Sequence, residues 1–102
     1  MFALEIRLNG VLKATCGTDD IAFLGGVLRA TRLNTGSSAT FDLQVECMGV
    51  RPVDADTREV MKWVHERIQL GDEIALRFVD AAHVNPPIDR QAIPVNEAPP
   101  DA

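Results

Sequence analysis

The sequence predicts an α+β fold: a mostly antiparallel sheet of about five strands with one helix packed on one face, in the order β-β-β-β-α-β. Three observations carry this. Apolar and polar side chains alternate with a period of two in four separate stretches, Asn9-Gly10 marks a hairpin turn, and residues 57–69 carry the one strong helix signal, helical spacing with a capping box.

The first strand is read from Phe2, Leu4, Ile6 and Leu8 alternating with Ala3, Glu5 and Arg7. After it, a two-residue loop would oppose Ile6 to Lys13 and Arg7 to Leu12, mixing apolar and charged residues on both faces. A three-residue loop, Leu8-Asn9-Gly10 with Gly10 left-handed, instead faces Ile6 with Leu12, Leu4 with Ala14, Phe2 with Cys16 and Glu5 with Lys13. A one-residue slip turns the whole apolar set outward, so the bulged three-residue hairpin is expected.

Residues 17–20 read as a turn. In residues 21–33 the spacing of Ile21, Leu24 and Leu28 fits a helix, but Gly25-Gly26 would fall inside it at a cost of about 1 kcal/mol each. Residues 21–24 are therefore expected as a loop or short strand and 26–33 as a strand. Residues 34–38 read as a polar turn. Phe41, Leu43, Val45 and Cys47 then alternate with Thr40, Asp42, Gln44 and Glu46, the pattern of a half-buried strand that Gly49 and Pro52 end.

The helix rests on Asp56 and Glu59, three apart as in a capping box, and on Val60, Trp63, Val64 and Ile68 at i, i+3, i+4 and i+8. Gly71 stands where a left-handed residue would close it. Ile74, Leu76 and Phe78 alternate with Glu73, Ala75, Arg77 and Val79 in the last strand. The expected core holds Leu4, Ile6, Leu12, Leu28, Phe41, Leu43, Val45, Val60, Trp63, Val64, Ile68, Ile74, Leu76 and Phe78. Pro86, Pro87, Pro94, Pro99 and Pro100 each lack a donor, so residues 83–102 are expected as an extended or disordered tail behind one domain of residues 1–82.

The 102 residues carry ten Lys+Arg against fifteen Asp+Glu, a net charge of −5. That balance argues against nucleic acid as a partner, which calls for a basic face. No apolar run reaches the ~20 residues of a membrane-spanning helix, so no membrane association is expected. Cys16 and Cys47 form no C-x-x-C pair and read as two buried thiols in a reducing cytoplasm. With His65 and His83 they match no common zinc spacing, so no metal and no cofactor is expected.

Catalytic material is sparse. Ser37 and Ser38 lie together in a turn, and neither histidine stands in a motif. Asp19-Asp20 and Asp72-Glu73 sit at turns, where Asp serves local hydrogen bonding. No catalytic residue is assigned. The function expected is that of a small acidic cytoplasmic protein-binding module, of the bacterial inhibitor, immunity or accessory kind, masking a basic protein. Its contact residues are expected on the sheet face that the helix leaves open: Glu5, Arg7, Lys13, Asp42, Gln44, Glu46, Glu73 and Arg77. One alternative is a homo-oligomeric structural or accessory protein, with a homodimer through an edge strand. Another is a ligand binder or enzyme with a pocket near His65 and Trp63.

Overall fold

Helical spacing and strand alternation compete over residues 57–69, and the strand wins. The computed structural model describes residues 1–33 and 40–95 and contains seven strands and no α-helix among them. They are β1 (Phe2–Leu8), β2 (Val11–Cys16), β3 (Phe23–Arg32), β4 (Phe41–Pro52), β5 (Thr57–Ile68), β6 (Ile74–Asp80) and β7 (Asp89–Pro94). All pairings are antiparallel, in a three-stranded sheet ordered β2-β1-β6 and a four-stranded sheet ordered β3-β4-β5-β7. The expected α+β fold is thus corrected to a two-sheet β fold, and the expected helix is β5.

The cause is a bulge. Cys47 pairs with Val64 and Met48 with Lys62, so Trp63 is the extra residue of β5. Two consecutive side chains, Trp63 and Val64, are both buried. A bulge that turns adjacent residues to one side breaks the period of two, so that Met61, Val64 and Ile68 stand on the core side at i, i+3 and i+7, a spacing that mimics a helix face. Met61, fully buried, belongs to the core, whereas Val60 pairs with Val50 and is only partly covered.

The first hairpin differs in the same way. Leu8 pairs with Val11, leaving a two-residue turn with Asn9 at φ 51° and Gly10 at φ 82°. Positive φ at both positions is the primed turn that Asn-Gly favours. The register then shifts between Ile6 and Arg7, with Lys13 as the extra residue, so Ile6 faces Ala14 and Leu4 faces Cys16. The expected pairs Ile6–Leu12, Leu4–Ala14, Phe2–Cys16 and Glu5–Lys13 are not formed. The bulge at Lys13 restores the apolar face that the expectation had assigned to a longer loop.

The expected turn at residues 34–38 lies outside the described residues, as do residues 96–102 of the expected tail. Within that tail, residues 89–94 form β7, paired with β5 from Lys62 to Thr57. Pro94 ends the strand, at the sheet edge where a missing donor costs nothing in the ladder.

The two sheets face each other across one core. Leu4, Ile6, Ala14 and Cys16 come from the smaller sheet, and Val45, Cys47, Met61, Trp63 and Val64 from the larger. Ile21, Leu24, Ile68 and Ile74 close its margin. The shortest dimension, 20 Å, fits two layers spaced about 10 Å apart. Leu76 lies over Gly26, where an added Cβ would meet its Cδ1 at 2.8 Å.

Strand length governs what this core can cover. β4 and β5 have 12 residues each, while β1 and β6 have seven. At about 3.3 Å per residue the longer strands outrun the shorter by about 17 Å. Residues expected in the core therefore lie bare. Leu28 is 62% exposed, and Phe41 is exposed as well. Leu76 and Phe78 are exposed at the edge strand of the smaller sheet, which the overhang does not account for. Leu12 is exposed for another reason, since pairing with Arg7 places it on the outer side of the smaller sheet.

Candidate functional site

Three arrangements on the surface have a geometry that could serve function: two charged clusters and one apolar arm.

The first cluster lies on the outer side of the four-stranded sheet, where register places Arg29 opposite Gln44 and Glu46 opposite His65. Glu46 is only 8% exposed. It accepts a hydrogen bond from Lys62 Nζ at 3.1 Å and lies 3.5 Å from Arg29 Nη1 and 3.6 Å from His65 Nε2. The Lys62 hydrogen bond, with the nearby positive charges, outweighs burial and holds the Glu46 carboxyl below the ordinary carboxylate range. Beside it, Gln44 Oε1 accepts from Arg29 at 2.9 Å and meets His65 Nε2 at 2.7 Å. Gln44 Nε2 donates to Asp42, which pairs with Arg67 at 3.0 Å.

The second cluster lies on the three-stranded sheet. Arg7 and Arg77 both reach Glu5 Oε1 at 2.8 Å, and these two contacts, Arg7 first, lower the Glu5 pKa. The expected contact residues thus divide. Asp42, Gln44 and Glu46 sit on the outer side of one sheet, and Glu5, Arg7 and Arg77 on that of the other. Sheets packed face to face turn their outer sides in opposite directions. Lys13 belongs to neither set: it reaches across from β2 to Glu66 of β5 at 3.8 Å. Glu73 is exposed at the β5–β6 connection, its backbone N–H donating to Asn9 Oδ1 at 2.9 Å.

His65 and Trp63 do not share a pocket. Trp63 is buried and packs over Gly49, whereas His65 is exposed on the outer side with Gln44. Among the described residues no group of three or more His, Cys, Asp or Glu could hold a metal ion. Cys16 and Cys47 are both buried and free. The hydrogen bond between their thiols, with burial, pushes the Cys16 thiol far above the ordinary thiol range. A thiol held protonated is a weak nucleophile and a weak ligand.

The apolar arm was not recognised from sequence. It is the end of the larger sheet beyond the core: Leu28 and Ala30 of β3, Phe41 and Leu43 of β4, Ile68 of β5, and Leu70 just after it. Leu70 is 92% exposed. Ala30, Thr40, Phe41, Leu43 and Leu70 line one shallow hollow there, and Leu28, Leu43, Ile68 and the turn at Leu70 to Asp72 line a second. Arg32 caps the tip, its guanidinium carbon 4.9 Å from the centre of the Phe41 ring. The signal available in sequence was length: more inward apolar positions than seven-residue strands can cover.

Among the described residues no helix is long and apolar enough to cross a membrane. No protein-family model matches the chain, and neither a curated protein nor a solved structure is significantly similar to it.

Proposed function

We propose that this protein is a small, acidic, non-catalytic docking module of the cytoplasm that binds another protein through its apolar arm. One observation carries the reading. Leu28, Leu43 and Ile68 continue the core-facing side of the larger sheet past the end of the smaller one, and Leu28 and Leu70 stay largely exposed. Contiguous apolar surface of this kind, rimmed by charge, marks interaction sites in soluble domains. The charged clusters fit the rim better than the centre of such a contact. Glu5, Asp42 and Glu46 are already occupied by Arg7, Arg77, Arg67, Lys62 and Arg29. The cytoplasmic assignment rests on two cysteines outside any paired motif.

A photo-activated cross-linking side chain placed at Leu28 tests this, with the same group at exposed Arg58, near the opposite end of the larger sheet, as control. Protein adducts formed in cells at Leu28 and absent at Arg58 support arm docking. Equal labelling at both, or none at Leu28, refutes it.

A further inference from the structure

The edge of the larger sheet carries more than apolar surface. β3 has β4 on one side and no strand on the other among the described residues. The Leu33 N–H donates to the Thr40 carbonyl at 2.8 Å, in register with the unbroken ladder that pairs Arg32 with Phe41 and Phe23 with Val50. Bonded and non-bonded pairs alternate along an antiparallel ladder. The odd-numbered residues therefore bond toward β4. The N–H and C=O groups of Leu24, Gly26, Leu28, Ala30 and Arg32 point away from it.

We propose that this edge pairs with the same edge of a second copy. The two β3 strands run antiparallel about a two-fold axis at Leu28 and join two four-stranded sheets into one of eight. The proposal rests on the docking reading and names its occupant. Leu28 is the midpoint of the five outward-bonding residues, so only this axis pairs all of them: Leu28 with the partner's Leu28, Gly26 with the partner's Ala30, and Leu24 with the partner's Arg32. On the outer side Val27 meets the partner's Arg29. That guanidinium lies in the row that already holds Glu46 and His65, with opposite charge near Glu46. Moving the axis one residue to Arg29 would set two guanidinium groups directly opposite each other, which is destabilising.

The apolar side agrees. Leu76 sits over Gly26, and Gly26 opposes the partner's Ala30. Each copy's Leu76 therefore lies beside the bare Ala30 and Leu28 of the other. A ten-residue open edge without proline, whose one core-side charge, Arg32, stands at its end over the Phe41 ring, is a template for strand addition.

The test uses the full chain. Val27 and the partner's Arg29 form a non-bonded pair, whose Cα atoms lie about 4.5 Å apart, within reach of a disulfide. An equimolar mixture of V27C and R29C proteins under a mild oxidant is expected to give a covalent heterodimer, while each protein alone stays largely uncross-linked. Both positions are substantially exposed and Cys16 and Cys47 are buried, so the wild-type chain is the background control. Light scattering of the wild type should give twice 11.1 kDa. L28K, which sets two ammonium groups on the axis, should return it to the monomer mass with unchanged circular dichroism. A wild-type monomer at high concentration, or cross-linking no greater in the mixture than in the single proteins, overturns self-pairing. If Leu28 adducts to another protein persist in that case, the docking reading stands without the second copy. If they too are absent, both fall.

Discussion

The indole Nε1 of Trp63 donates to the backbone carbonyl of Asn85 at 2.8 Å. Asn85 closes two further bonds: its N–H donates to the Thr15 carbonyl at 2.8 Å, and its Oδ1 accepts from the Thr15 N–H at 2.7 Å. A residue in the connection between β6 and β7 thereby fastens the edge of the smaller sheet to the bulge of the larger. Trp63→Phe leaves the Asn85 carbonyl without its donor and opens space in the core, at a cost of about 2–3 kcal/mol. Asn85→Ala removes one exposed acceptor and keeps the backbone bonds, so it should cost only about 0.5–1 kcal/mol. Urea midpoints at unchanged slope would establish the order, and an Asn85→Ala loss equal to that of Trp63→Phe would refute it.

Two glycines separate close approach to backbone from close approach to a mobile side chain. A Cβ at Gly49 would lie 2.8 Å from Ile21 Cδ1, 2.9 Å from the Phe23 carbonyl oxygen and 3.0 Å from Trp63 Cζ3. At Gly26 the close atoms are the two terminal methyls of Leu76. A leucine tip can rotate away, whereas a β3 carbonyl and a packed indole cannot. Gly49→Ala should therefore destabilise by about 1–3 kcal/mol and Gly26→Ala by clearly less. Thermal unfolding of the two variants side by side measures the difference.

The Asn9-Gly10 turn is tied to the β5–β6 connection. Asn9 Oδ1 accepts from the Glu73 N–H at 2.9 Å, its Nδ2 donates to Asp72 at 3.0 Å, and its own N–H donates to the Glu73 carbonyl at 2.8 Å. Gly10→Ala meets no atom within 4 Å, so its cost is purely that of left-handed backbone, about 1–2 kcal/mol. Asn9→Ala gives up both left-handed tolerance and two side-chain bonds, and should cost at least as much. Hydrogen exchange should quicken at the Glu73 amide in Asn9→Ala and not in Gly10→Ala.

Strands read well from sequence wherever the period of two runs unbroken. β1, β4 and β6 follow from Leu4 and Ile6, from Val45 and Cys47, and from Ile74 and Leu76. The reading failed at the two bulges. One inserted residue at Lys13 made the correct two-residue turn look impossible. One at Trp63 turned a strand into an apparent helix, because local spacing cannot tell a displaced strand face from a helical stripe. The bare arm was hidden for a different reason. Leu28 and Leu43 do point to the core side, but whether anything covers them depends on how far β1 and β6 extend, which is a property of the partner sheet. Asp42, Gln44 and Glu46 lie on the outer side of the larger sheet. Grouping them with Glu5, Arg7 and Arg77 assumed one sheet where there are two.

The charged cluster around Glu46 sets a pH dependence. Its carboxyl is held below the ordinary glutamate value of 4.5, first by the Lys62 hydrogen bond, and Glu5 is lowered by Arg7 and Arg77. A carboxyl whose pKa is lower folded than unfolded takes up a proton on unfolding. Its contribution is fully present above the unfolded value and is lost as pH falls through the folded one. The melting temperature should thus hold near neutrality and drop as the solution is taken below pH 4.5. Glu46→Gln keeps the size of the side chain but not its charge, leaving Lys62 without a counter-ion at 3.1 Å. It should lower stability at pH 7 by about 1 kcal/mol and by less in acid, where the wild-type carboxyl is itself neutralised. Melting curves of the two proteins that stay parallel from pH 7 down to pH 3 would show that Glu46 carries no such coupling.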